Sequence, residues 1–349
     1  MHPKKPLIFI TGLFLIVSLQ LGCSELNGKE GPGLTPPPSV TKPKILTFYE
    51  EGWGGIYRGS LTRLREVKEK VDVVCPVWLG LKANGLVKWD KTNPAAIRFF
   101  NQNRLDFLVL VTAGSGRNCS AILSTAEYRR NAINIIASYV KRVKAQGICV
   151  DFEYINPGLK KAFTSFVTEL KATLVNQKLL VAVFPYVNWE EPTKEAYDYR
   201  RLGEVCDGLI VMTYDQHRPS DSAGPIAARD WVKQNLYYFT TQIDNRKLWL
   251  GIAGYGYRWQ TGKQQATALP AWYCRDLAVR KGVINTFQAD TGNDYLQYQE
   301  KGKTYTIWWE GTRGMREKLA LATRHHLAGV ALWRLGYEEK EFWKPFDKR

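Results

Sequence analysis

Cysteine is scarce: 6 in 349 residues, and one of these, Cys23, ends an N-terminal apolar run. The other five, Cys75, Cys119, Cys149, Cys206 and Cys274, form no C-x-x-C pair, and an odd number cannot all pair within the chain. A disulfide framework and a cysteine-held metal are both excluded, and no cofactor is expected. Cys75, Cys149 and Cys206 lie in or beside apolar runs, where a thiol behaves as a small hydrophobe. Missing too is an N-terminal run long enough to span a membrane, which takes about 20 apolar residues. The one present, Leu7 to Gly22, has 16 and is interrupted by Thr11, Ser18 and Gln20. No G-x-G-x-x-G follows the first globular apolar run, so the dinucleotide-binding signal is absent. There is no internal repeat. No finger, arm or basic helix gathers the cationic residues, so no nucleic-acid partner is expected.

What is present is a core-forming composition, 45% hydrophobic and 13% aromatic, with 49 Lys+Arg against 33 Asp+Glu for a net charge of +16. Lys4 and Lys5 followed by the short apolar run form the layout of an export signal over residues 1–23. Leu21-Gly22-Cys23-Ser24 resembles a bacterial lipobox, with Gln20 where Leu is usual, so Cys23 is expected to carry a lipid that holds the chain at the membrane. Removal of residues 1–22 takes away two lysines and no acid, leaving about +14, a charge suited to an anionic surrounding such as a cell wall. Residues 24–43, with Gly31-Pro32-Gly33 and Pro36-Pro37-Pro38, read as a tether that builds no core.

From about Lys44 onward, eight apolar runs alternate with amphipathic stretches: Ile45–Tyr49, Val71–Leu79, Leu105–Ala113, Gly147–Glu153, Leu179–Tyr186, Gly208–Tyr214, Leu248–Tyr255 and Gly329–Leu335. Between them, Ala132, Ile136, Tyr139 and Val143 recur at three- and four-residue steps, as on a helix face. Strands buried on both faces and alternating with helices predict an α/β protein, a (β/α)8 TIM barrel over 44–349. Roughly 70 residues separate the seventh and eighth runs, too many for a connection and a helix. Period-two aromatics around Glu300-Lys301-Gly302-Lys303 predict a hairpin within a small α+β insertion over about 260–312, forming one wall of a cleft.

The sharpest chemical signal is Gly147-Ile148-Cys149-Val150-Asp151-Phe152-Glu153. On a strand Cys149, Asp151 and Glu153 share one face. In a barrel that face is the interior, and the C-terminal end of a strand is where catalysis sits. Two carboxyls about 7 Å apart along one strand repel when both ionise. One is thereby kept protonated, as a general acid must be.

Asp-x-Glu closing the fourth run resembles the D-G-x-D-x-D-x-E motif of glycoside hydrolase family 18. Three further stretches resemble that family in order: Met212-Thr213-Tyr214-Asp215, Gly251 through Gly254-Tyr255-Gly256-Tyr257 to Trp259, and Gly329 through Trp333 to Gly336. The similarity spans 44–349 and is closest to the spore cortex-lytic N-acetylglucosaminidase branch, through Cys75-Pro76-Val77-Trp78-Leu79, Tyr214-Asp215-Gln216-His217 and the stretch from Trp333 to Glu338. The LysM repeats common in that branch are absent from the sequence. The family's first two motif acids fall at Gln146 and Cys149, so the carboxylate usually behind Asp151 is replaced by a thiol.

The resemblance implies a retaining, substrate-assisted hydrolase of β-1,4 bonds after N-acetylglucosamine. Glu153 would be the acid and base, Asp151 and Tyr214 the groups that orient the acetamido nucleophile. Asp215, Met212 and Trp333 would bind the sugar. Trp78, Tyr186, Tyr49 and Trp309 are candidates for further stacking, each equally readable as core; His217 and Glu310 are candidates to touch substrate or line the cleft. The partner is an N-acetylated glycan, either peptidoglycan or a chitin oligosaccharide, acted on by a monomer. A non-catalytic sugar-binding barrel is the alternative that the Cys149 departure leaves open.

Overall fold

All eight apolar runs form parallel strands: Lys44–Tyr49, Val73–Leu81, Asp106–Thr112, Gly147–Val150, Lys178–Val183, Gly208–Val211, Leu248–Ala253 and Gly329–Trp333. In chain order these are the first to eighth strands. The computed structural model describes residues 42–189 and 192–346. The export segment with Cys23, and all but two residues of the 24–43 tether, lie outside the described residues.

Each strand pairs with its successor, and the first pairs with both the second (Leu46 opposite Val73) and the eighth (Ile45 opposite Val330). The sheet therefore closes, as the alternation of strands and helices predicts, into a (β/α)8 barrel. Its strands read as near-continuous apolar sequence because one face fills the barrel and the other is covered by helices. The helix Ala126–Val143 buries Ala132, Ile136, Tyr139, Val140 and Val143, the predicted stripe, and ends where Lys144 turns left-handed. Pro94–Gln102 starts where Asn93 accepts hydrogen bonds from the amides of Ala95 and Ala96, with Pro94 in the first turn.

The insertion between the seventh and eighth strands starts earlier than the sequence suggests. Tyr255–Gln260, next to the seventh strand, lies between Thr267–Pro270 and Lys303–Trp309 in a five-stranded antiparallel sheet completed by Asn293–Glu300 and Thr286–Gln288. Gly256 permits this: a Cβ there would come within 2.2 Å of the Trp308 carbonyl. The predicted hairpin is present as Asn293–Glu300 and Lys303–Trp309, and helix Ala271–Lys281 packs on the sheet with its own core around Leu296, Ile307 and Trp309.

A buried ion pair ties the insertion to the barrel. Lys318, on helix Thr312–Arg324, donates to Glu310 at 2.5 and 2.6 Å and to the Ala227 carbonyl at 2.9 Å, and both side chains are shut off from solvent. Burial pushes the Glu310 carboxyl up to about 7, against the pull of Lys318. Lys318→Met strands that carboxyl and is expected to lower stability by about 3–5 kcal/mol. The loss should be larger at pH 8 than at pH 5, where Glu310 can take up a proton instead. Urea denaturation at both values checks this, and the Glu310→Leu/Lys318→Met double variant is expected to recover most of the loss.

Candidate active site

Beyond Val150 the fourth strand keeps its alternation. Phe152 packs outward against Phe166 at 5.3 Å, which leaves Cys149, Asp151 and Glu153 on the inner face. Glu153 stands at the mouth and Asp151 one layer deeper. The sixth strand leads into Met212-Thr213-Tyr214-Asp215, fixed by the Thr213 hydroxyl donating to the Gly251 carbonyl at 2.7 Å. Asp215 takes a left-handed φ of 58°, which turns its carboxylate toward the hydroxyls of Tyr255 and Tyr257, the latter donating at 2.7 Å. Trp333 ends the eighth strand, edge-on to Phe48 at 5.1 Å. Asp151, Glu153, Met212, Tyr214, Asp215 and Trp333 all line one pocket of about 240 Å³.

Burial raises both carboxyls of the fourth strand, and the negative charges of Asp151 and Asp215 push Glu153 further still. A hydrogen bond joins the two, favouring the charged form of Asp151 and the protonated form of Glu153. Of the two, Glu153 is the carboxyl held in its protonated form. The Oδ1 of Asp151 is buried with no hydrogen-bond partner. Beneath it the Cys149 thiol is held neutral by its hydrogen bond with Cys75 and by burial, so no second charge stands behind Asp151. Burial, with Asp151 and Glu153 nearby, also drives the Tyr214 phenol well up, which keeps its O–H a donor. That hydroxyl has no partner among the described residues.

Three candidates sit elsewhere. Phe48 lines the pocket, so Tyr49, one residue on, faces the opposite side of its strand, fully buried against Trp78 and Phe100. Trp78 stacks on Phe100 of helix Pro94–Gln102 at 6.0 Å and is core as well. Tyr186 lies past the end of the fifth strand, stacked at 4.3 Å on Tyr238 of helix Arg229–Thr240, with its amide bonded to Asn235. These corrections share one cause: the side-chain alternation, or the helix layer, turns each ring away from the mouth. Trp309 is enclosed in the insertion core with its Nε1 on Glu339, and Glu310 is committed to Lys318. His217 accepts from or donates to nothing in the pocket; its Nδ1 bonds the Ser222 carbonyl at 3.0 Å.

Trp53, Tyr57 and Tyr337, none of them among the predicted site residues, also line the pocket. Trp53 is 66% exposed on the turn Gly52-Trp53-Gly54-Gly55, where all three glycines have positive φ. At Gly52 a Cβ would lie 2.4 Å from the Gly59 amide nitrogen. An exposed Trp on a glycine turn is the signal that could have found it.

Residues 65–338 match the family model described as glycosyl hydrolases family 18. The chain is 26% identical over 261 residues to the uncharacterized glycosylase YvbX of Bacillus subtilis, covering 73% of this chain and 74% of that one. It is 24% identical to the cortical fragment-lytic enzyme of Bacillus anthracis, covering 69% of this chain but only 59% of the relative, so it spans less than two thirds of that protein. A chitinase structure from Chromobacterium violaceum superposes with a TM-score of 0.79 at 25% identity, covering 88% of this chain and all of the other. The chain belongs to glycosyl hydrolase family 18 and is a glycosidase.

Three outcomes are expected from this geometry. The alkaline limb of the kcat/KM pH profile should lie above the ordinary carboxylate range, because activity is lost as pH rises through the raised Glu153. Asp215→Asn removes one of the charges that raise it and should move that limb to lower pH, whatever it does to the maximum rate. Trp53→Ala should raise KM on oligosaccharides about 5- to 50-fold, the loss of about 1–2.3 kcal/mol of ring contact, with little change in melting temperature.

Proposed function

We propose that the chain is a retaining, substrate-assisted N-acetylglucosaminidase that cleaves β-1,4 bonds after N-acetylglucosamine in peptidoglycan. The observation that carries this reading is the combination of a protonated Glu153, an orphaned buried Asp151 Oδ1 and an uncommitted Tyr214 hydroxyl around one pocket. An acetamido group has complementary atoms: its N–H meets the Asp151 oxygen, and its carbonyl oxygen takes the Tyr214 proton. Held in this way, the carbonyl oxygen attacks the anomeric carbon while Glu153 protonates the departing glycosidic oxygen. Asp151, charged, offsets the positive oxazolinium that forms, and Glu153, now a carboxylate, activates the water that opens it. A protein nucleophile is not required. Asp215, the other carboxylate in the pocket, is engaged by the hydroxyls of Tyr255 and Tyr257, which suits binding and ring distortion better than attack. Trp333 offers an apolar face for the sugar ring and the acetamido methyl.

Peptidoglycan is favoured over chitin by the mature charge of about +14 and by the cortical fragment-lytic relative. The same reading places the enzyme outside the cell, lipid-anchored through Cys23 and acting as a monomer on wall material, that of the spore cortex included.

The test uses the chain from Ser24 onward and its Glu153→Gln variant, incubated with spore-cortex peptidoglycan and with chitin oligosaccharides, products read by mass spectrometry. Wild type is expected to release muropeptides with reducing-end N-acetylglucosamine. The variant should be slower by ~10²–10⁴-fold with an unchanged melting temperature. Cleavage confined to chitin oligosaccharides would transfer the assignment to a chitinase, and binding without cleavage of either would overturn the mechanism.

A further inference from the structure

A second cavity of about 390 Å³ adjoins the catalytic pocket. The partition between them is made by Tyr57 and Tyr337, whose rings lie 6.2 Å apart and face the catalytic side. Their chain neighbours, Arg58 and Gly336, face the other cavity. Arg58 comes from the loop after the first strand, Gly336 from the loop after the eighth, and Trp272 from the insertion helix Ala271–Lys281, so the cavity opens at the same mouth of the barrel. It is as charged as the catalytic pocket is aromatic, and the signs are mixed.

Most of those charges are already used. Arg63 is held by Glu66 and by the buried Glu338, at 2.9 Å in the latter case. Arg275 is held by Glu339 at 3.1 Å, and Glu339 also accepts from Thr312. Asp276 is held by Arg280 at 3.0 Å. Two side chains are exceptions: Glu341 has no ion-pair partner among the described residues, and neither has Arg58, whose guanidinium lies 4.7 Å from the centre of the Trp272 ring. A cation seated over the indole keeps its N–H groups for a ligand, and a carboxylate can take two of them. The cavity also leads on. Arg275, Glu339 and Glu341 also line a further hollow of about 600 Å³, so the two adjoin as one groove lined by charges of both signs.

We infer that this groove binds the peptide that a peptidoglycan strand carries on its muramic acid, with Arg58 receiving a peptide carboxylate. This rests on the peptidoglycan reading above and deepens it. A neutral chitin chain has no anionic group to pair with the guanidinium. A simple polyanion would be repelled by the acids along the groove. A short peptide bearing both carboxylates and an ammonium group matches a lining of both signs, and its attachment to the sugar next to the cleaved residue requires a site beside the catalytic pocket.

Two measurements test it. Steady-state kinetics compare wild type with Arg58→Glu on a glycan carrying its stem peptides and on the same glycan after an amidase has removed them. The variant is expected to raise KM at least about tenfold on the first, as loss of one charge-assisted hydrogen bond implies, and by less than about twofold on the second. Calorimetry with a free stem tetrapeptide containing a diamino acid should show binding to wild type and none to the variant. Equal effects on both glycans, or no tetrapeptide binding by wild type, would overturn the inference. If wild type cuts neither glycan, the peptidoglycan reading fails, while calorimetry still decides the groove separately.

Discussion

Closure of the sheet is the constraint on which the rest depends. The first strand accepts pairing from the second on one edge and the eighth on the other, and with that the barrel has no free edge in its wall. Closure brings the carboxyl ends of all the strands into one small circle. Glu153 from the fourth strand, Tyr214 from beyond the sixth and Trp333 from the eighth thus meet although up to 180 residues separate them in the chain. It also dictates the helix layer, since each parallel return needs a crossover long enough to cover the outer face.

The electrostatics of the site follow from the depth that closure creates. Asp151 and Glu153 lie on the interior face, where desolvation raises both, and their mutual hydrogen bond sorts the single proton onto Glu153. The thiol at Cys149 has a clear place in this scheme. Hydrogen-bonded to Cys75 and held neutral, it lets Asp151 lean toward Glu153 without a second buried anion behind it. The remaining charge, Asp215, is shared with two tyrosine hydroxyls from the start of the inserted sheet. The insertion is therefore part of the site and not an appendage: Tyr255 and Tyr257 belong to its first strand, and the Lys318–Glu310 pair secures its other end to the barrel.

The eight strands, the carboxylate pair and the Met-x-Tyr-Asp turn were all readable in the chain, because each is a local pattern. An apolar run marks a strand buried on both faces, and an i, i+2 spacing marks residues on one side of it. Reading failed where orientation depends on what lies across space. Tyr49 and Trp78 sit in apolar runs next to residues of the mouth, yet alternation and Phe100 turn both outward. Tyr186 left its strand to stack on Tyr238, a residue about 50 positions away. The insertion begins about five residues before its predicted start, since Tyr255–Gln260 has the local pattern of a continued seventh strand and only its antiparallel partners set it apart.

By itself, then, the sequence determined the barrel and which carboxyl pair would be buried in it, because hydrophobic periodicity and strand alternation are properties of neighbouring residues. Tertiary structure alone decided which aromatic rings reach the pocket, which carboxyl keeps the proton, and that an unpaired Arg58 rests on Trp272 across the partition from the active site. Those depend on desolvation and on contacts between residues far apart in the chain, and neither is written in any local stretch of it.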